Sequence, residues 1–83
     1  MIVALKVMPR REVLDTQGRA VAESLQRSGF ALESCRVGKY IEVQVEESDP
    51  DKALEKLREM AEYVLYNPLI ETFEMEVVQG SGQ

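Results

Sequence analysis

Arg36-Val37-Gly38-Lys39-Tyr40 decides how this chain folds, because it separates two extended runs, 31–36 and 41–46. In the second run Ile41, Val43 and Val45 alternate with Glu42, Gln44 and Glu46, the period of a half-buried strand. Between the runs, Gly38-Lys39 predicts a two-residue hairpin loop, with Gly38 taking the positive φ of a type II′ turn. Such a loop sets Val37 opposite Tyr40 and Cys35 opposite Glu42. It also puts Arg36 on the face of Ile41 and Val43, the core side. Either a bulge shifts the register there, or Arg36 sits at the end of the sheet and points at something acidic.

On the N-terminal side, 2–8 is nearly all apolar, with Val3, Leu5 and Val7 on one face and Ala4 and Lys6 on the other. That pattern predicts a central strand, ended by Pro9, which has no N–H to donate. A helix opens at Leu14-Asp15-Thr16-Gln17-Gly18, where Asp15 or Thr16 can cap the free N–H groups of the first turn. Gly18 costs about 1 kcal/mol there relative to Ala. It suggests close approach of another backbone or of a partner, with plain helix–sheet packing as the alternative. Leu14, Gly18, Val21 and Leu25 form one stripe, and Gly29 is placed to close the helix in the left-handed region.

On the C-terminal side, Asp49-Pro50-Asp51 is a strong helix start: an N-cap, a proline suited to the first helical position, and an acidic first turn. Ala53, Leu54, Leu57, Met60, Ala61, Val64 and Leu65 make the apolar stripe. Lys52–Glu55, Lys56–Glu59 and Arg58–Glu62 are spaced to meet on the solvated side. Asn67-Pro68 stops this helix. A last strand over 71–78 alternates Phe73, Met75 and Val77 with Thr72, Glu74 and Glu76. The order strand, helix, strand, strand, helix, strand predicts an α+β, ferredoxin-like βαββαβ two-layer sandwich. It has a four-stranded antiparallel sheet with two helices on one face. The single domain spans 1–79, and 80–83 form a flexible C-terminal tail. The open face, with Ala4, Lys6, Cys35, Val37 and Tyr40 as candidates, is a self-association surface.

Composition narrows the chemistry. The chain has 83 residues and a net charge of −5. Acidity of this kind argues against a phosphate-binding footprint for DNA or RNA, which needs clustered Lys and Arg. Histidine is absent and Cys35 is the sole cysteine. A Cys/His zinc site, a His-based triad and an internal disulfide are therefore excluded. No run approaches the ~20 apolar residues of a membrane helix, and no export signal precedes Pro9, which predicts a cytoplasmic protein. Pro9-Arg10-Arg11 lies where small phosphatases of this architecture hold phosphate. The loop lacks glycine, and the only asparagine is Asn67 at a helix end. An N-terminal proline base is excluded because Ile2 follows Met1. Glu42, Glu46, Glu47, Asp49 and Asp51 match no calcium loop. No nucleophile has a base beside it, so the residues predict a binding or assembly module.

Val13-Leu14-Asp15-Thr16-Gln17-Gly18, Arg36-Val37-Gly38-Lys39-Tyr40 and Asn67-Pro68-Leu69-Ile70-Glu71, in that order, resemble motifs of the PurS family. These are small accessory subunits of phosphoribosylformylglycinamidine (FGAM) synthase. Thr16 stands where that family usually has proline, and threonine can still cap or begin a helix. The resemblance implies a non-catalytic role in de novo purine (IMP) biosynthesis. The chain would bridge an ATP-dependent large synthetase subunit and a glutaminase subunit, and would support ammonia transfer between them. It implies no cofactor in this chain, in a complex that uses ATP, Mg2+ and glutamine. It implies self-association as a dimer or tetramer, with neither nucleic acid nor membrane as a partner. Asp15, Gln17, Gly18, Arg36, Gly38 and Lys39 would be the partner-binding residues. The rival reading is a stand-alone regulatory module that binds a small molecule as ACT domains do.

Overall fold

The computed structural model describes residues 1–80, so the predicted tail lies, from 81 on, outside the described residues. A three-stranded antiparallel sheet is built from β1 (Ile2–Pro9), β2 (Lys39–Gln44) and β3 (Glu71–Gln79), with β1 between the other two. Two helices, α1 (Thr16–Arg27) and α2 (Pro50–Met60), complete the fold. A π turn over Ala61–Leu65 continues α2.

The near-continuous apolar run of β1 makes it central. Val3, Leu5 and Val7 are fully buried on the helix side, and Ala4 is fully buried on the other. β2 pairs with β1 as Leu5↔Ile41 and Val3↔Val43, and β3 as Leu5↔Met75 and Val7↔Phe73. Those pairings set one parity for the whole sheet. Ile41, Val43, Phe73 and Met75 join the core beneath α2. Lys6, Tyr40, Glu42, Glu74 and Glu76 face the other way. The open face is therefore mostly polar: Lys6 pairs with Glu76 at 3.7 Å, and Tyr40 donates to the same carboxylate at 3.4 Å.

α2 begins as its caps predict, with Asp49 accepting from the Asp51 N–H at 3.1 Å. Ala53, Leu57 and Ala61, one helical turn apart, are fully buried. The predicted stripe fails at its end, since Val64 is 71% exposed. The cause is the π turn, closed by Tyr66 N–H to Ala61 C=O at 3.3 Å. Widening the turn keeps Leu65, not Val64, in line with Ala61. The predicted pairs along the helix surface give way to contacts with other elements. Lys56 meets Glu47 at 3.6 Å, and the Arg58 guanidinium lies 5.7 Å from the centre of the Phe73 ring.

The first half of the chain departs from the prediction. Residues 31–36 form no strand, and the hairpin at Gly38-Lys39 does not form, so the sheet has three strands, not four. Among the described residues Gly29 is the glycine with positive φ, at 96°. Gly38 therefore cannot make the predicted type II′ turn. Gly29 ends α1 as expected: its N–H donates to Gln26 C=O at 3.1 Å, and Phe30 N–H donates to Leu25 C=O at 3.0 Å. The chain then runs back beside α1, where Gln26 Nε2 donates to Leu32 C=O at 3.0 Å. It reaches β2 at Lys39 through Val37 and Gly38 without a hairpin turn.

α1 and its return run thus stand off the end of the sheet. Only Gly18 and Ala22 of α1 are buried. The Cα trace measures 48 × 29 × 14 Å, with a radius of gyration of 16.1 Å. A compact chain of this length has a radius near 12 Å.

The packing divides α2 sharply. Leu57→Ala should cost about 2–5 kcal/mol, the range for emptying a filled core site. Val64→Ala should cost under about 0.5 kcal/mol, as at an exposed site. Urea titration of both variants, read by helical circular dichroism, checks the contrast.

Candidate docking corner

The residues predicted to bind partners lie where β1 ends, α1 begins and β2 begins. Asp15 organises this corner. As the N-cap of α1 it accepts from Gly18 N–H at 2.9 Å through Oδ1, and from Val37 N–H at 2.9 Å through Oδ2. One carboxylate thus joins the helix start to the chain entering β2. These hydrogen bonds, the Gly18 N–H first and the Val37 N–H next, hold its pKa below the usual carboxylate value, and the nearby Arg36 charge adds to them.

Gly18 has a backbone as its neighbour. A Cβ there would stand 2.2 Å from the Cys35 carbonyl oxygen. Gly38 is crowded in the same manner: a Cβ would stand 2.2 Å from the Val7 carbonyl oxygen. Both glycines let main chains of this protein touch. Arg36 lies beyond the sheet, where its guanidinium donates to the Pro9 carbonyl near Asp15. Of the two placements open to it, the sheet end with an acidic neighbour is the one adopted. Cys35 is half-buried.

Asp15, Gln17, Gly38 and Lys39 line one shallow cleft of about 370 Å³. Gly18 is buried and does not line it, and Arg36 opens into a neighbouring cleft with Arg10 and Arg11. Lys39 lies 3.7 Å from Glu71 across the first cleft. Leu14 and Ile70, exposed apolar side chains, form its rim. Neither was singled out as a site residue from the sequence. The signal available was the Asn67–Glu71 segment, which folds as a turn with Asn67 Oδ1 accepting from Leu69 N–H at 3.0 Å. Arg10 clamps that turn through two hydrogen bonds to Pro68 C=O, at 3.0 and 2.8 Å. Among the described residues no three Cys, Asp or Glu side chains gather to hold a metal ion.

Two variants test the corner. Gly18→Ala should destabilise the fold. The ~1 kcal/mol of helix propensity that alanine adds is smaller than the cost of moving the Cys35 carbonyl aside. Asp15→Asn should remove a pH dependence. Because the folded pKa is lowered, the stabilisation by Asp15 is complete above the usual carboxylate range and is lost as pH falls through the lowered value. Thermal unfolding of wild type and variant should therefore differ most near neutral pH and converge in acid.

Comparison with known proteins fits this architecture. The family model described as "PurS: Phosphoribosylformylglycinamidine (FGAM) synthase" matches residues 2–79. The FGAM synthase subunit PurS of Bacillus subtilis is 37% identical over 82 residues, which cover 98% of this chain and 96% of that protein. A crystal structure of B. subtilis PurS superposes with a TM-score of 0.80 at 35% identity, covering 94% of this chain and 98% of that one. A chain of the PurLQS structure from Thermotoga maritima superposes with a TM-score of 0.82 at 30% identity, covering 90% and 93%. The chain belongs to the PurS family of FGAM synthase subunits.

Proposed function

We propose that this chain is the non-catalytic assembly subunit of FGAM synthase in de novo purine biosynthesis, working in the cytoplasm as a homodimer or tetramer. It bridges an ATP-dependent synthetase subunit and a glutaminase subunit and supports passage of ammonia from one to the other. The complex uses ATP, Mg2+ and glutamine. The observation that carries this reading is the superposition on a chain of the T. maritima PurLQS structure. The chemistry of the chain agrees with it. Without histidine, and with Cys35 its only thiol, it lacks an activated nucleophile. Among the described residues no helix is long and apolar enough to cross a membrane.

Containment is the physical reason for such a subunit. Ammonia released into water near neutral pH is mostly protonated, and ammonium has no lone pair with which to attack. A docked complex that excludes water keeps the nitrogen nucleophilic until it meets the activated amide. In this reading Asp15, Gln17, Gly18, Arg36, Gly38 and Lys39 form the partner-binding surface. Gln17, Arg36 and Lys39 supply polar groups, while Asp15, Gly18 and Gly38 hold its shape.

Reconstitution with the synthetase and glutaminase of the same organism tests the reading. Leaving out this chain should abolish glutamine-driven FGAM formation and spare the reaction driven by added ammonium salt. An unchanged glutamine-driven rate would refute the role. Lys39→Ala combined with Gln17→Ala should weaken assembly about tenfold, the combined loss of two rim contacts of ordinary weight. Size-exclusion of the mixed subunits reads that loss.

A further inference from the structure

We infer that Arg10, Arg11 and Arg36 form a binding site for the phosphate group of a small phosphate monoester, at the end of the sheet beside the docking corner. The inference is independent of the assembly role proposed above, since a chain that fails to assemble would still bind phosphate here.

The three arginines reach one cleft from separate parts of the chain. Arg10 follows β1, Arg11 begins the loop toward α1, and Arg36 precedes β2; together they line a cleft of about 340 Å³. Arg10 and Arg36 are half-buried, and every other arginine of the chain is exposed. Main-chain carbonyls hold these two side chains. Arg10 uses two of its five N–H donors on Pro68 C=O, at 3.0 and 2.8 Å, and Arg36 uses one on Pro9 C=O. A carbonyl fixes a guanidinium and leaves its charge in place. Asp15 feels the Arg36 charge, but both of its oxygens accept from main-chain N–H groups. Among the described residues the ion pairs join Lys6–Glu76, Arg19–Glu23, Lys39–Glu71 and Lys56–Glu47, and none reaches these arginines. In a chain of net charge −5, three guanidinium groups thus share a cleft with no carboxylate paired to them.

The lining favours a doubly charged tetrahedral group over a carboxylate. Glu12 and Glu74 set two negative charges against the three positive ones. A dianion gains about twice what a monoanion gains from the surplus. A carboxylate is matched by one guanidinium fork, whereas a phosphate monoester offers three acceptor oxygens, enough for all three arginines. Thr72 adds a hydroxyl to the wall. Met8, Thr72 and Glu74 are shared with a second cleft of about 390 Å³, which is lined also by Lys6 and Tyr40 of the open face. It leaves room beside the phosphate for the organic part of an ester.

Inorganic phosphate and adenosine monophosphate are the probes, with acetate and adenosine as controls, titrated into the full chain and followed by backbone amide NMR. Phosphate should give saturating shifts at Arg10, Arg11, Arg36 and Thr72, and adenosine monophosphate should do so with about tenfold higher affinity. Acetate and adenosine should give none. Arg11 is exposed and takes part in no hydrogen bond or ion pair among the described residues. Arg11→Ala should therefore weaken phosphate binding about tenfold with the circular dichroism unchanged. Arg36→Lys keeps the charge but loses the fork, and should weaken binding as well. No saturation with phosphate, equal shifts with acetate, or an affinity that neither substitution changes overturns the site. Adenosine monophosphate binding no tighter than phosphate overturns the ester and leaves a site for the free ion.

Discussion

Both oxygens of the Asp15 carboxylate are spoken for, one by the first turn of α1 and the other by the Val37 N–H. The shape of the molecule follows from that double grip. Val37 is held at the helix start, so the chain approaches β2 alongside α1, and Gly38 passes flat against the Val7 carbonyl. A turn at Gly38 would need a positive φ, which Gly38 does not adopt. The run that would have paired with β2 stays with the helix, and the two together, as an arm, project from the end of the sheet.

Burial is unevenly shared as a result. β1, β2, β3 and α2 enclose a core in which Val3, Leu5, Val7 and Leu57 are shut off from water. The arm buries little beyond Gly18 and Ala22. Local stability tracks buried apolar contact, so the arm belongs to the part of the molecule that opens most readily. Segments that dock on other proteins come from that part. The corner joining the arm to the sheet is better tied, by Asp15, by the Arg36 contact with Pro9 and by the Lys39–Glu71 pair. It is held by more contacts than α1, of which only Gly18 and Ala22 are buried.

That division suits an accessory subunit of FGAM synthase. The polar open face, with Lys6, Glu42, Glu74 and Glu76, is a poor surface for burial. Beside Tyr40 on that face, exposed apolar side chains lie just before α1 at Leu14, on α1 at Val21, and around the turn at Leu69 and Ile70. This apolar surface flanks the corner that joins α1 to the sheet.

Much of this was legible in the residues. The alternations of β1 and β3, the Asp49-Pro50 start of α2, the Asp15 cap and the Gly29 ending depend on neighbours a few positions away. Short-range sterics and hydrogen bonding decide them. The π turn escaped notice because no composition rule marks it, and it moved Val64 outward. The predicted hairpin fails for a different reason. Gly38-Lys39 permits a turn, but whether the turn closes depends on Asp15 and Pro9, both more than twenty residues away in sequence. A local pattern can make a bend possible. Contacts between distant parts of the chain decide whether it is made, and here they left the sequence to fix the elements and the tertiary structure to place the arm.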